Sequence, residues 1–457
     1  MPEDAAQTKD PGQAGLLPGR IGAGVVLLSF AATSAWLMAF IASHAVDMMY
    51  EDQWDLYQPM FRGEGWWATY DLQHGPHREG IGLVLTRLLA ATSGWDSRWD
   101  AYAAGLLVVA ACGAALLLGR RFAARRRLLV LAAVPPLVMS AHQYEAFLGP
   151  VNLSYGPIPL LLLMALCLAW FAASDLQRYL WAGALTFLLV FSGFGLFAGL
   201  LTPVLAAVDC VRAARAGNRR RAAAAAAAIA LTAAAWALFA HGYVFEPAAS
   251  GFRFPYERPS QYFVFVAKMF GNLSGTPALS PASLGIGGVA ALAAAAVCGW
   301  NGAVCLRRGA ADNPRNAVLF TLSGFALLFA FDCAVGRVFM SEIAPLAPRY
   351  ATLVIPGALG ILLQMESLAS APRWAVASAS FAVLLVPASL HFRADERIGV
   401  RWFTDGRRAW KAAYLKSGNE AQADADSHFQ VYPGPLGDRL QYLKDHRLNL
   451  FHGPGEP

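Results

Sequence analysis

Apolar windows long enough to cross a bilayer recur from residue 21 to residue 391, separated by short polar segments. A spanning helix needs about 20 mostly apolar residues. The pattern predicts about eleven such helices, at 21–46, 102–118, 128–141, 155–171, 179–191, 195–211, 222–243, 284–305, 317–335, 351–365 and 374–391. The windows at 128–141 and 179–191 are short, the first broken by Pro135-Pro136 and the second followed by Ser192-Gly193-Phe194-Gly195. Kinked or half-crossing helices are expected there. The expected fold class is therefore an all-α integral membrane bundle. It divides into an N-terminal segment (1–20), a polytopic body (21–391) and a C-terminal tail (392–457), with long loops at 47–100 and 244–283.

Composition agrees with that pattern. Only 14% of the 457 residues are charged and 57% are hydrophobic, against about 25% and 45–50% in soluble domains. A soluble domain, a disordered chain and a disulfide scaffold are excluded. The formal charge of +6 does not mark a nucleic-acid binder, because the basic residues sit in alternate loops. Arg120, Arg121, Arg125, Arg126 and Arg127 form one group, Arg212, Arg215, Arg219, Arg220 and Arg221 a second, and Arg307, Arg308 and Arg315 a third. Lys and Arg are retained on the cytoplasmic side during insertion. These loops and the N-terminus, with Lys9 and Arg20, are thus expected on the cytoplasmic side. An odd number of crossings puts the tail outside. The first span is too long for a cleavable signal and reads as a signal anchor. All six cysteines lie in or beside apolar windows, where they serve as small hydrophobes. The alanine run at 222–228 reads as a closely packing membrane helix.

The polar chemistry falls on the outer side. The first outer loop opens with Asp47, Glu51, Asp52 and Asp55 just past a membrane helix, and carboxylates so close to hydrocarbon usually have a function. Asp52 and Asp55 share a face if the segment is helical, and Trp54 anchors it at headgroup level. Such an acid can take a proton from a hydroxyl or help hold a divalent metal; no cofactor is assigned. The ordinary alternative is a hydrated loop. His74, His77 and Arg78 follow, ahead of an amphipathic stretch at 81–91 that reads as an interfacial helix. They suit a phosphate or a sugar, although two histidines alone are a weak metal signal and equally fit a plain surface. His142, Tyr144 and Glu145 form another small polar group. Arg337 closes the ninth window, near Asp332 as a neutralising partner, and Arg349-Tyr350 opens the tenth. An arginine fork makes paired bonds to phosphate oxygens. Arg253, Arg258 and Lys268 are further outer cations, with snorkelling the simpler reading for Lys268.

The run Asp52-Gln53-Trp54-Asp55, then Pro59, Gly63, His74-x-x-His77-Arg78 and Thr86-Arg87-Leu88-Leu89, resembles a group of poorly characterised bacterial polytopic proteins similar to GT-C-type glycosyltransferases. Gly336-Arg337, Arg349-Tyr350 and the ending from Tyr442 to Phe451 match that group's later marks. Gly75-Pro76 stands where the group has Asn-Glu, and Pro348 where it has serine. The resemblance implies a GT-C-like bundle and transfer of a sugar on the outer face from a polyprenyl-phosphate-linked donor to a glycan or lipid acceptor. It also implies an acid in the first outer loop as base. Asp52 fits that role, with Asp47 and Glu51 as rivals, and Asp55, His74, His77, Arg78, Glu145, Arg337, Arg349 and Tyr350 are expected to bind substrate. The competing readings are a transporter or flippase of a lipid-linked glycan and a non-catalytic envelope scaffold. The tail, with helices starting near Thr404 or Asp405 and at 436–446, is expected to pack over the outer vestibule.

Overall fold

The computed structural model describes residues 16–149, 153–245 and 252–452; Lys9 and most of the 1–20 segment lie outside them. The fold is all-α. The hairpin of Gln73–His74 with His77–Arg78 is the one strand pair among the described residues. Eight helical stretches are long and apolar enough to cross a membrane: Arg20–His44, Arg98–Gly119, Gly193–Arg215, Arg219–Ala240, Pro281–Arg308, Pro314–Arg337, Pro348–Leu368 and Pro372–Ser417. Burial sorts them. Pro348–Leu368 has 78% of its apolar window inside the protein and forms the centre, whereas Arg20–His44 has 17% and Pro281–Arg308 has 22%. The outer faces of those two need lipid to cover them.

Eight of the eleven expected windows form helices of that length, and the other three fold shorter. Residues 128–141 form a 3-10 segment, Arg125–Ala133, and a short helix, Val134–Val138. Pro135-Pro136 sits in the first turn of that short helix, where a missing N–H leaves no bond unmade. The windows at 155–171 and 179–191 become Pro157–Ala169, of 13 residues, and Asp175–Val190, of 16. At 1.5 Å per residue these are roughly 20 and 24 Å long. Gly193, with φ at +49°, turns the chain after the second of them. The alanine-rich helix Arg219–Ala240 buries Ala224, Ala225, Ala228, Thr232 and Ala235, a stripe at helical spacing.

The basic loops gather at one end of the bundle. Arg212 donates to the Arg307 carbonyl at 2.7 Å, Arg221 pairs with Asp312 at 2.8 Å, and Arg127 pairs with Glu366 at 2.8 Å. The first long loop, the 338–350 segment and the tail share the opposite end, as an even number of crossings between loop and tail requires. The loop runs through short helices Gln53–Leu56, Gln58–Phe61 and Trp66–Asp71 to the hairpin, and then to Gly80–Ser93, the expected interfacial helix. Gly75 takes φ of +55° at the hairpin turn, a conformation that costs a residue with a side chain.

The tail has three helices rather than two, Ala394–Ser417, Glu420–Ser427 and Gly437–Asp445. The first starts ten residues before the expected cap at Thr404, because the Glu396 carboxylate accepts the Arg393 N–H at 2.8 Å. Asn419 caps the unexpected middle helix, accepting the Gln422 N–H at 2.9 Å. The tail is pinned to the first loop throughout. Glu51 N–H donates to the Val431 carbonyl at 2.7 Å, Tyr50 packs against Trp402, Phe403 and Phe429, and Tyr442 packs on Phe61 and Trp95.

Candidate functional site

The turn that opens the first loop is tightly held. Buried Trp54 plugs it, and the Gln53 side chain accepts the Tyr50 N–H at 3.0 Å. Glu51 adopts φ of +42°, a left-handed conformation unusual for a residue with a side chain. Its backbone bond to Val431 holds it there. Asp52 follows, half exposed, with Oδ1 3.8 Å from Nε2 of His74 on the hairpin. Burial alone would push the Asp52 carboxyl up, but nearby His74, with the charges of Arg349 and Arg337, outweighs it and holds it below the usual range. Burial alone would push His74 down, yet Asp52, Glu79 and Asp55 raise it above an ordinary imidazole. Glu51 goes the other way: burial raises it, and Asp52 and Glu145 add to that. Its carboxylate accepts the Tyr50 hydroxyl at 2.8 Å.

The arginines come from two neighbouring helix ends. Arg337 is the last residue of Pro314–Arg337, and Arg349 lies in the 3-10 turn Pro348–Tyr350 that leads into the central helix. Glu145, itself buried, pairs with the Arg349 guanidinium and accepts its backbone N–H at 3.3 Å. Arg337 is different. Among the described residues it has no ion pair and no side-chain hydrogen bond, not even with Asp332; it lies 6.0 Å from the Phe194 ring centre and 5.6 Å from that of Tyr350. Both arginines, Tyr350 and Glu145 line a cavity of about 850 Å³ whose other walls include Leu279, Met340, Ile343 and Phe403. Asp52 does not line it but feels the charge of both arginines.

The remaining residues expected at a site divide into two sets. His77 is buried against Phe194, 4.2 Å between ring centres, and Tyr155, at 6.1 Å. Neither ring nitrogen has a hydrogen-bond partner. Burial first, then Arg337 and His74, push it down to about 3, so it is neutral at physiological pH. Arg78 is buried and caps the end of Arg219–Ala240, donating to the Phe239 carbonyl at 3.0 Å and the His241 carbonyl at 2.6 Å, with Asp71 at 3.1 Å. Asp47 and Asp55 face the tail. Asp47 accepts from Ser97 N–H at 3.1 Å and Asn449 at 2.9 Å, and burial, reinforced by Asp96, pushes it up to about 6. Asp55 accepts the Tyr432 hydroxyl at 2.8 Å and lies 3.3 Å from Arg439. His142 holds the start of the tail, through Glu396 at 2.7 Å.

Three residues at this centre escaped the sequence reading. Tyr155 donates its hydroxyl to Glu79, and Phe194 lies between His77 and Arg337. Glu79 follows directly on the His77-Arg78 pair. Phe194 lies in the Ser192–Gly195 break, which sequence marked only as an interruption of apolar pattern. The arrangement offers an ionised carboxylate with an imidazole partner and, within reach of its charge, a guanidinium whose donors are unused among the described residues. Among the described residues no three His, Cys, Asp or Glu side chains come close enough to hold a metal ion.

No protein-family model matches the chain, and no curated protein matches it. A solved structure similar to it is that of ArnT from Cupriavidus metallidurans bound to undecaprenyl phosphate. The match has 16% identity and a TM-score of 0.43, and covers 94% of this chain and 77% of that one.

Proposed function

We propose that the chain is a glycosyltransferase of the bacterial inner membrane. It moves a sugar from a polyprenyl-phosphate-linked donor to a glycan or lipid acceptor on the outer face. The observation that carries this reading is the unpaired Arg337 guanidinium, held between two aromatic rings at a cavity of about 850 Å³ with largely apolar walls. A cation kept partly from water without an acidic partner is costly unless a ligand supplies the charge. A lipid phosphate supplies it, and its tail suits the apolar walls.

In this reading the Asp52 carboxylate accepts the proton of the acceptor hydroxyl, with His74 as its partner. The hydroxyl oxygen bonds to the anomeric carbon of the sugar while the bond from that carbon to the phosphate oxygen breaks. The electron pair stays on the leaving lipid phosphate. Arg337 donates to those oxygens, where charge grows most in the transition state, and Arg349, fixed by Glu145, adds a second positive field. A single displacement of this kind inverts the anomeric centre. The basic loops support a cytoplasmic position for the end opposite the site, which goes with an inside N-terminus and an outside tail. Asp47 and Glu51 are the weaker base candidates, since Asp47 is tied to Asn449 and Glu51 to Tyr50.

The test is retention of undecaprenyl phosphate by purified protein in lipid nanodiscs, together with surface glycan in a strain whose own copy is deleted. Arg337→Ala should lose the lipid phosphate. Asp52→Asn should keep it but lose the glycan. If both variants insert normally and still support the glycan, the transferase reading falls and the scaffold reading replaces it.

A further inference from the structure

The segment 338–346 borders a second recess besides the arginine cavity, and Ser341 lines both. That recess is about 280 Å³, and its lining includes Arg258, Gln261, Lys268 and Glu342. Val264, on helix Ser260–Gly271, is shared with an apolar groove of about 770 Å³ walled by Phe263, Leu284, Leu292 and Phe331. Phe263 and Leu292 are each 72% exposed. In water such a slot would carry a heavy hydrophobic cost, so hydrocarbon must fill it. A recess with cations that shares the wall residue Val264 with an apolar groove has the form of a headgroup site beside a chain site.

The charges narrow the occupant. Lys268 donates to the Glu342 backbone carbonyl at 3.1 Å and has two further donors. The Arg258 side chain makes no ion pair or hydrogen bond among the described residues, whereas nearby Arg253 is taken by Glu257 at 3.0 Å. Two cations face one carboxylate, Glu342, so the recess is net positive. We propose that this is a second lipid site, distinct from the arginine cavity. It binds an anionic phospholipid with its headgroup on Arg258 and Lys268 and an acyl chain along Phe263, Val264 and Leu292. The site needs no transfer reaction, so it stands or falls separately from the transferase reading.

The probe is phosphatidylglycerol carrying a diazirine in one acyl chain, with diazirine phosphatidylcholine as the neutral control, each in nanodiscs with the full chain. After irradiation, labelled peptides are mapped by mass spectrometry. Phosphatidylglycerol should label peptides containing Phe263 and Leu292 about tenfold more than phosphatidylcholine does, since each basic residue near a bilayer surface favours anionic lipid. Arg258→Glu with Lys268→Glu should bring that labelling down to the phosphatidylcholine level, and Leu292→Trp should lower it by filling the groove without changing charge. Arg337→Ala should leave it unchanged. Equal labelling by the two lipids, or labelling that survives the double charge reversal in protein of unchanged helicity, overturns the proposal.

Discussion

Asp52 Oδ1 and His74 Nε2 face each other at 3.8 Å, one from a turn just after the first membrane helix, the other from a two-residue strand 22 positions later. Each shifts the other in opposite directions, Asp52 downward and His74 upward. The charged pair therefore exists from below the ordinary carboxylate range to above the ordinary imidazole value. It is lost as pH falls through the Asp52 pKa or rises through that of His74.

Replacing His74 by Phe removes the main influence that offsets burial at Asp52. The carboxyl pKa then rises, so the acid limb of the transfer rate against pH should move to higher pH. An unmoved acid limb would show that Asp52 is not the titrating group.

Asp52→Asn keeps the shape of the side chain but removes its ability to take a proton. Transfer should drop by about 10²–10⁴-fold with little change in thermal stability, since the half-exposed carboxylate makes few bonds within the protein. The measurement pairs single-turnover transfer with a melting curve in detergent.

Arg337 and Arg349 should separate stability from binding. Arg337→Ala deletes no ion pair or side-chain hydrogen bond among the described residues, so the melting temperature should hold while lipid-phosphate retention falls. Arg349→Ala leaves buried Glu145 without its partner and should cost roughly 1–3 kcal/mol. Chemical denaturation in mixed micelles reads both. Equal destabilisation by the two variants would contradict the difference in their contacts.

His77 should behave as a structural residue. Both its nitrogens are buried without partners, so an apolar ring forfeits no bond there. His77→Phe should stay within about 1 kcal/mol of the parent and keep activity. Loss of transfer at unchanged stability would instead give the imidazole a direct role.

Asn449 directs its side-chain amide to Asp47, the Trp95 carbonyl and the Ser97 hydroxyl, at 2.8–2.9 Å. Asn449→Ala should cost about 1–3 kcal/mol and expose the tail to limited proteolysis at lower protease concentrations. Cleavage rates equal to the parent would mean that other contacts hold the tail.

Sequence pattern was enough to find the spans, because a bilayer's thickness imposes one length scale on apolar runs. It was also enough to separate the basic end from the polar end, because insertion sorts arginines. It failed where a local break sets helix length, as at Pro135-Pro136, and where the partner of a side chain lies far along the chain. Asp47, Asp52 and Asp55 look alike in sequence, three acids from one short loop. What distinguishes them is contact with Asn449 and Lys411, with His74, and with Tyr432 and Arg439 respectively. Four of these five partners lie more than 350 residues away, beyond the reach of any spacing rule. The unexpected Glu420–Ser427 helix is short and weakly amphipathic, so its sequence offered little beyond the cap at Asn419.

Ala394, Asp395 and Phe403 line the same cavity as Arg337 and Arg349, and all three follow helix Pro372–Leu390, the apolar part of the last crossing stretch. During synthesis the arginines enter the membrane before the wall that closes around them has left the ribosome. The nascent chain therefore passes through a stage in which every crossing is in place but the chamber still gapes. Folding back of residues 394–403 is what completes the wall of that cavity.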